Sequence, residues 1–125
     1  MIVVLFGPPG SGKGTQAQRV ASRLGVPHIA TGDILRAEVA RGSALGREAE
    51  PIMQSGNLVS DDLIVRVIQA RLAQPDAGTG ALLDGFPRTV PQAIALDSML
   101  AREHRRVDIV VSLQVDDDEL RERVL

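Results

Sequence analysis

The stretch of sequence that decides the fold is Gly7-Pro8-Pro9-Gly10-Ser11-Gly12-Lys13-Gly14-Thr15. The apolar run from Ile2 to Phe6 precedes it and predicts a strand that is buried on both faces. A helical pattern follows it, with one apolar side formed by Ala17, Val20, Ala21 and Leu24. A glycine-rich loop between a strand and a helix predicts a phosphate-binding site, because its backbone N–H groups and the helix dipole favour an anion.

Lys13 strengthens this prediction, because it adds a mobile positive charge that can follow the outer phosphates of a nucleotide. A simple glycine-proline turn is the alternative, but the lysine in its strand and helix context favours nucleotide binding. In the general motif, Ser or Thr directly follows the lysine and holds Mg²⁺. Here Gly14 takes that place and the hydroxyl comes one residue later, at Thr15. The loop is therefore a variant of the general motif.

The composition excludes several classes of function. The 125 residues are enough for one domain, and they contain no cysteine, which excludes disulfides, thiolate metal sites and a cysteine nucleophile. A net charge of −2 weighs against a dedicated nucleic-acid binder. The N-terminal apolar run is too short for a signal sequence or a membrane span. We therefore expect a cytoplasmic protein without a nucleic-acid or membrane partner.

A second informative stretch is Ala81-Leu82-Leu83-Asp84, an apolar strand that ends in an aspartate. In a protein with a phosphate-binding loop, such a carboxylate lies near the metal that accompanies the nucleotide phosphates. Asp84-Gly85 could instead form a hairpin turn. A helix that begins near Thr89 favours a strand-to-helix crossover, and with it the metal-related role.

Local patterns predict the remaining elements. We expect strands over 26–30 and 107–113, and helices after Thr31, over about 45–54, from Ser60 and from Asp116. Thr31 or Asp33 is expected to cap the first of these helices. The acids Asp61 and Asp62, like the four at 116–119, are interpreted as partners of helix dipoles and not as metal ligands. The lone histidine His28 is assigned no role.

Four motifs taken together resemble adenylate kinase. They are Gly7 to Thr15, Thr31-Gly32-Asp33-Ile34-Leu35-Arg36, Gly56-Asn57-Leu58-Val59, and Asp84 to Thr89 with Gln92-Ala93. The resemblance covers essentially the whole chain and implies an α/β fold of the P-loop NTPase type. Its parallel sheet would have the strand order 2-3-1-4, with helices on both faces and residues 31–59 as a small helical AMP-binding flap. The family's lid, fifth strand and closing helix are expected to be absent from residues 1–125.

The resemblance also implies an activity, the reversible transfer of a phosphoryl group from Mg·ATP to AMP to give two ADP. The catalytic residues would be Lys13, Asp84, Arg88 and Arg123. The ATP phosphates would be bound by Gly10, Ser11, Gly12, Lys13, Gly14 and Thr15. The AMP site would be formed by Thr31, Arg36, Asn57, Leu58, Val59, Gly85, Phe86, Pro87, Arg88 and Gln92. Asp84 would hold Mg²⁺ through water, and Arg123 would lie against the ATP base.

Three alternative functions differ from this activity in the substrate or in the class of protein. The chain could be a kinase for UMP, CMP or GMP, or a nucleotide-binding fragment without useful turnover. A regulatory GTPase is disfavoured, because no hydroxyl directly follows Lys13 and no guanine-reading Asn-Lys-x-Asp run occurs. We expect a monomer if the protein is complete, and association through an unpaired fourth strand if it is not.

Overall fold

A computed structural model describes residues 1–7 and 13–112 of the chain. Within these residues the structure contains four strands, five α-helices and one short 3₁₀ turn. Their order is β1 (Ile2–Phe6), α1 (Lys13–Leu24), β2 (His28–Ala30), α2 (Thr31–Arg41), α3 (Ala44–Gln54), α4 (Asp61–Leu72), the 3₁₀ turn (Pro75–Ala77), β3 (Ala81–Asp84), α5 (Val90–Arg102) and β4 (Val107–Ser112). The final helix predicted from Asp116 lies outside the described residues.

The four strands form one parallel sheet in the order β2-β3-β1-β4, which confirms the predicted order. In this sheet Leu5 of β1 pairs with Asp84 of β3, and Ala30 of β2 pairs with the same aspartate. Because all strands run in the same direction, their carboxyl ends lie along one edge of the sheet. The segments that follow β1, β2 and β3 therefore begin close to one another.

Strand β1 is buried on both faces, as its continuous apolar run predicts. Side chains alternate along a strand, so Ile2 and Val4 pack into one cluster while Val3 and Leu5 pack into another. The first cluster is covered mainly by α4 and α5, and the second is covered by α1 through Ala17 and Ala21. Helices thus cover both faces of the central strands.

The predicted cap of α4 is confirmed, because the Ser60 hydroxyl accepts a hydrogen bond from the Leu63 backbone N–H at 3.3 Å. The predicted cap of α2 is wrong. Helix α2 begins directly at Thr31, its N-cap residue is Ala30, and no side chain caps it. The reason is that β2 runs into α2 without an intervening loop, so Thr31 and Asp33 are already inside the helix.

Helices α2 and α3 approach each other closely at Gly46. A Cβ atom built on Gly46 would overlap the Glu38 carbonyl group and lie 2.7 Å from the Val39 nitrogen. The Ser43 hydroxyl caps α3 by accepting from the Gly46 N–H at 3.0 Å, and it also contacts the Glu38 carboxylate. The packing of residues 31–59 therefore depends on a glycine in the first turn of α3.

We expect Gly46→Ala to lower the free energy of unfolding by about 1–3 kcal/mol, because the added methyl group forces the two helices apart. The matched control is Gly32→Ala, where the new Cβ would meet only the flexible Arg36 guanidinium at 3.2 Å. That exchange should stabilise the helix by up to about 1 kcal/mol. Urea unfolding of both variants is the measurement, and a gain in stability for Gly46→Ala would contradict the close approach.

Strand β4 forms one edge of the sheet in the part of the chain that the structure describes. There it pairs with β1, and its residues Ile109 and Val110 are exposed, the latter to 60 %. Association through this edge stays a prediction. Across residues 1–7 and 13–112, no helix has both the length and the apolar character needed to cross a membrane.

Candidate nucleotide-binding site

The candidate site lies at the carboxyl edge of the sheet. Lys13 is the first residue of α1, the helix that follows in sequence the phosphate-binding loop predicted after β1. The first N–H groups of a helix have no acceptor within the helix, so those of Lys13, Gly14 and Thr15 are available to an anion. Gly10, Ser11 and Gly12 lie outside the described residues, as does Arg123.

Lys13 and Asp84 are brought together at this edge, although they are 71 residues apart in sequence. The Lys13 ammonium group donates a hydrogen bond to Oδ1 of Asp84, whose side chain is only 6 % exposed. The strand register explains the contact, because Asp84 is the last residue of β3 and lies beside Leu5 near the end of β1. The structure therefore places the predicted phosphate-binding lysine and the predicted metal-related carboxylate side by side.

His28 also contacts Asp84, which the sequence did not indicate. Its Nε2 lies 2.9 Å from Oδ2 of Asp84, so each carboxylate oxygen has its own partner. The two residues are 56 positions apart, and only the pairing of β2 with β3 brings them together. No local signal in the sequence could have identified this contact. His28 acts on the site by holding the Asp84 carboxylate in a fixed orientation.

The pKa of Asp84 lies below its ordinary value of 3.8. Burial by itself raises the pKa of this carboxyl group, but the hydrogen bonds from Lys13 and His28, together with the positive charge of Lys13, lower it by more. Asp84 is therefore an ionised carboxylate at neutral pH, as a partner of a cation must be.

This shift predicts how stability depends on pH. A carboxyl group whose pKa is lowered by folding stabilises the protein above its unfolded pKa, and this contribution is lost as the pH falls through the folded pKa. We expect the free energy of unfolding of the wild type to fall more steeply below about pH 4 than that of Asp84→Asn, which cannot titrate. Urea unfolding between neutral pH and about pH 3 measures both slopes. Equal slopes would show that Asp84 has no lowered pKa.

The described residues contain no group of three or more His, Cys, Asp or Glu side chains that could hold a metal ion. Magnesium in nucleotide sites usually keeps several waters and is held by one or two carboxylates together with the substrate phosphates. A single buried carboxylate beside the predicted phosphate site fits that mode of binding. The donor set thus suits a Mg²⁺ ion that arrives with a nucleotide.

The segment after β3 carries Gly85 and Arg88. Gly85 has a φ of +83°, and a Cβ atom there would lie 3.1 Å from the Arg88 guanidinium group. A glycine is needed for this backbone conformation, and the Arg88 guanidinium group lies against it. Arg88 is exposed and forms no ion pair with the residues that the structure describes. Its guanidinium group can therefore meet an anionic ligand.

Other residues predicted for the AMP site are spread over neighbouring elements. The Thr31 hydroxyl is buried and has no hydrogen-bond partner among the described residues, and Arg36 is exposed and pairs with Asp33. The side chain of Phe86 is buried in the core, so only its backbone can contact a ligand. Leu58 is 95 % exposed in the connection between α3 and α4. A cavity of about 330 Å³ between α2 and α3 is lined by Arg36, Val39, Ala40, Glu50, Met53 and Gln54.

Gln92 is the most constrained member of the predicted AMP site. Its side-chain oxygen accepts from the Arg88 backbone N–H at 2.8 Å, and its side-chain nitrogen donates to Asp61 at 2.7 Å. Thr89 caps α5 by accepting from the Gln92 backbone N–H at 3.3 Å. These bonds connect the loop after β3, the start of α5 and the start of α4 to one another.

The parallel sheet with its helices, and the lysine at the start of α1, define an α/β protein of the P-loop NTPase type. Comparison with known proteins narrows this class. A sequence model of the family described as adenylate kinase matches residues 5–125, and the chain belongs to this family.

Several curated relatives are similar over nearly the whole chain. An adenylate kinase of Stenotrophomonas maltophilia (strain K279a) is 52 % identical over 124 residues, which are 99 % of this chain and 66 % of the relative. An adenylate kinase of Salinispora tropica is 53 % identical over 99 % of the chain and 57 % of its own length. One of Azorhizobium caulinodans is 52 % identical over 100 % of the chain and 64 % of its own length. The chain thus spans 57–66 % of the length of these relatives.

Proposed function

We propose that this chain carries the nucleotide-binding core of an enzyme that transfers a phosphoryl group reversibly between Mg·ATP and AMP, giving two ADP. The observation that carries the proposal is the Lys13–Asp84 pair at the carboxyl edge of the sheet, in a chain that belongs to the adenylate kinase family. The same chemistry would place the protein in nucleotide biosynthesis.

The ATP phosphates would lie at the start of α1. The N–H groups of the first helical turn and the Lys13 ammonium group would neutralise the negative charge that builds up on the transferring group. Residues 10–12 of the loop would complete this contact. Bound Mg²⁺ would supply further positive charge to the phosphates, and Asp84 would orient its water ligands from the other side.

AMP would bind on the other side of the site. Arg36 and Arg88 would clamp its phosphate, because a planar guanidinium group can hold two phosphate oxygens at once. The Thr31 hydroxyl is buried and has no hydrogen-bond partner among the described residues. Because buried polar groups are usually hydrogen-bonded, this supports a hydrogen bond from Thr31 to the ligand. The backbone of Asn57 to Val59 and of Gly85 to Pro87 would line the site, and the Gln92 side chain would contact the adenine base of AMP.

The transfer itself needs little covalent help from the protein. The bond between the γ-phosphorus of ATP and its bridging oxygen breaks, and a bond forms from that phosphorus to a phosphate oxygen of AMP. The acceptor oxygen is already anionic, so no general base is required. Catalysis then consists of positioning the two nucleotides, neutralising their charge and excluding water.

A second candidate function is nucleotide binding without useful turnover. This candidate keeps the contact between Lys13 and Asp84 as part of a nucleotide-binding site but includes no phosphoryl transfer. A third possibility keeps the chemistry but uses UMP, CMP or GMP as the acceptor.

The partners in this proposal are ATP, AMP and ADP, with Mg²⁺ as the cofactor. We further propose a cytoplasmic protein that neither binds nucleic acid nor attaches to a membrane. We propose a monomer for the complete protein, with association through β4 where that strand is left unpaired.

The deciding experiment measures ADP formation from Mg·ATP with AMP, CMP, UMP or GMP, together with ATP and AMP binding by calorimetry. Turnover with AMP that depends on Lys13 would support the phosphotransferase. Binding of ATP and AMP without ADP formation would support the second function. Faster turnover with another nucleoside monophosphate would identify that nucleotide, and not AMP, as the acceptor. The absence of any nucleotide binding would contradict all three candidate functions.

A further inference from the structure

The side-chain amide of Gln92 is held in one orientation. Gln92 is 5 % exposed, its Oε1 accepts from the Arg88 N–H at 2.8 Å, and its Nε2 donates to Oδ1 of Asp61 at 2.7 Å. A backbone N–H can only donate and an ionised carboxylate can only accept, so these two partners admit a single assignment of the amide oxygen and nitrogen. One N–H and one oxygen lone pair of the amide remain for a ligand.

Asp61 and Asp62 both lie in the first turn of α4, but they have different partners. Asp62 is exposed and pairs with Arg66 on the same helix at 3.1 Å. Asp61 is half-buried and reaches across to Gln92 on α5. The sequence pattern predicts that both acids are partners of the helix dipole, and the structure shows that Asp61 has this additional contact. A hydrogen bond to an ionised carboxylate is stronger than one between neutral groups.

We propose that Asp61 is a positioning residue that sets the base preference of the nucleotide site by fixing the orientation of the Gln92 amide. This inference rests on the proposed function, in which Gln92 meets the base of the acceptor nucleotide. Asp61 also lies two residues after Val59, so its contact ties the connection between α3 and α4 to Gln92. Both pieces that would surround the base are thereby held together.

The chemistry of the two purine edges explains why orientation matters. Adenine presents a ring nitrogen that accepts beside an amino group that donates. Hypoxanthine, the base of inosine monophosphate (IMP), presents a ring N–H that donates beside a carbonyl oxygen that accepts, at the same positions. A free amide can pair with either edge by rotating half a turn. An amide fixed by Asp61 pairs well with only one of them.

The test is the ratio of AMP to IMP affinity, measured by calorimetry for the wild type and four variants. We expect the wild type to prefer AMP and Asp61→Ala to reduce the preference by about tenfold, because the amide is then free to rotate. Asp61→Asn should keep it within about threefold, since the asparagine oxygen still accepts from Gln92. Asp62→Ala is the matched control and should leave the ratio unchanged. Gln92→Ala should lose the preference at least as far as Asp61→Ala.

A merely structural role gives a different result. In that case Asp61→Ala lowers the melting temperature and weakens AMP and IMP binding in parallel, and an unchanged ratio overturns the inference. A wild type that binds AMP and IMP equally also overturns it. If the wild type binds neither nucleotide, the proposed function fails together with the inference. If the wild type prefers AMP and Asp61→Ala keeps the same ratio, only the inference fails.

A nuclear magnetic resonance measurement tests the contact even if Asp61→Ala does not fold. The side-chain NH₂ signals of Gln92 are assigned by their loss in Gln92→Ala. In Asp61→Asn the acceptor loses its charge, so the proton donated by Nε2 should shift upfield, whereas Asp62→Asn should leave it in place. A Gln92 signal that is the same in the wild type and in Asp61→Asn would overturn the inference.

Discussion

Lys13→Ala is expected to slow phosphoryl transfer by about 10³-fold, the largest effect of any single substitution in this chain. The substitution removes the cation that would follow the transferring phosphate. It also leaves the Asp84 carboxylate beside the phosphates with His28 as its remaining described partner, so the site loses an attractive charge and gains an unneutralised repulsive one. ATP affinity should therefore fall together with the rate.

The measurement is ADP formation from Mg·ATP and AMP, with ATP binding by calorimetry on the same samples. Arg19→Ala is the matched control, because it removes one positive charge from the exposed side of the same helix. Lys13→Ala should also lower the free energy of unfolding, because the Asp84 carboxylate loses its cation. The double variant Lys13→Ala with Asp84→Asn should regain part of this free energy, since no carboxylate is left without its cation. It should not regain the rate. Activity of Lys13→Ala near that of the wild type would remove Lys13 from the phosphate site.

Arg88→Ala is expected to slow transfer by about 10²-fold or more while the fold survives. The Arg88 side chain is exposed and lies against Gly85, so its loss leaves no cavity in the core. Its backbone N–H still donates to Gln92. The expected defect is thus confined to the phosphate clamp, with little change in the free energy of unfolding.

The same assay, combined with urea unfolding, tests this expectation. Arg88→Lys should recover only part of the rate, because an ammonium group cannot hold two phosphate oxygens in the planar arrangement of a guanidinium group. Arg102→Ala, in the last turn of α5, the helix that follows the loop carrying Arg88, controls for the loss of one positive charge. A turnover number unchanged by Arg88→Ala would show that Arg88 is not part of the site.

Much of the site could be predicted from local sequence. The glycine-rich stretch with Lys13, the strand that ends at Asp84 and the cap at Ser60 each depend on residues within one turn or one strand. The structure confirms the elements on both sides of the loop, the strand at Asp84 and the cap at Ser60. The family resemblance that these motifs suggested is confirmed by the match to residues 5–125.

Other features of the structure could not be predicted from local sequence. The predicted cap of α2 was wrong because β2 runs directly into the helix, which the residue types of Thr31 and Asp33 do not reveal. His28 was assigned no role because its partner Asp84 lies 56 residues away. The two acids at the start of α4 look alike in sequence, and only the packing of α4 against α5 gives Asp61 its contact with Gln92.

By itself, the sequence determined the order of the elements along the chain, and its glycine-rich loop predicted which residues bind phosphate. These depend on hydrophobic periodicity and on the conformational freedom of glycine, which act over a few residues. Only the tertiary structure decided that Asp84 has both Lys13 and His28 as partners, and that Gln92 is held by Asp61. The physical reason is that strand register and helix packing are set by the burial of side chains far apart in the chain, which no local pattern contains.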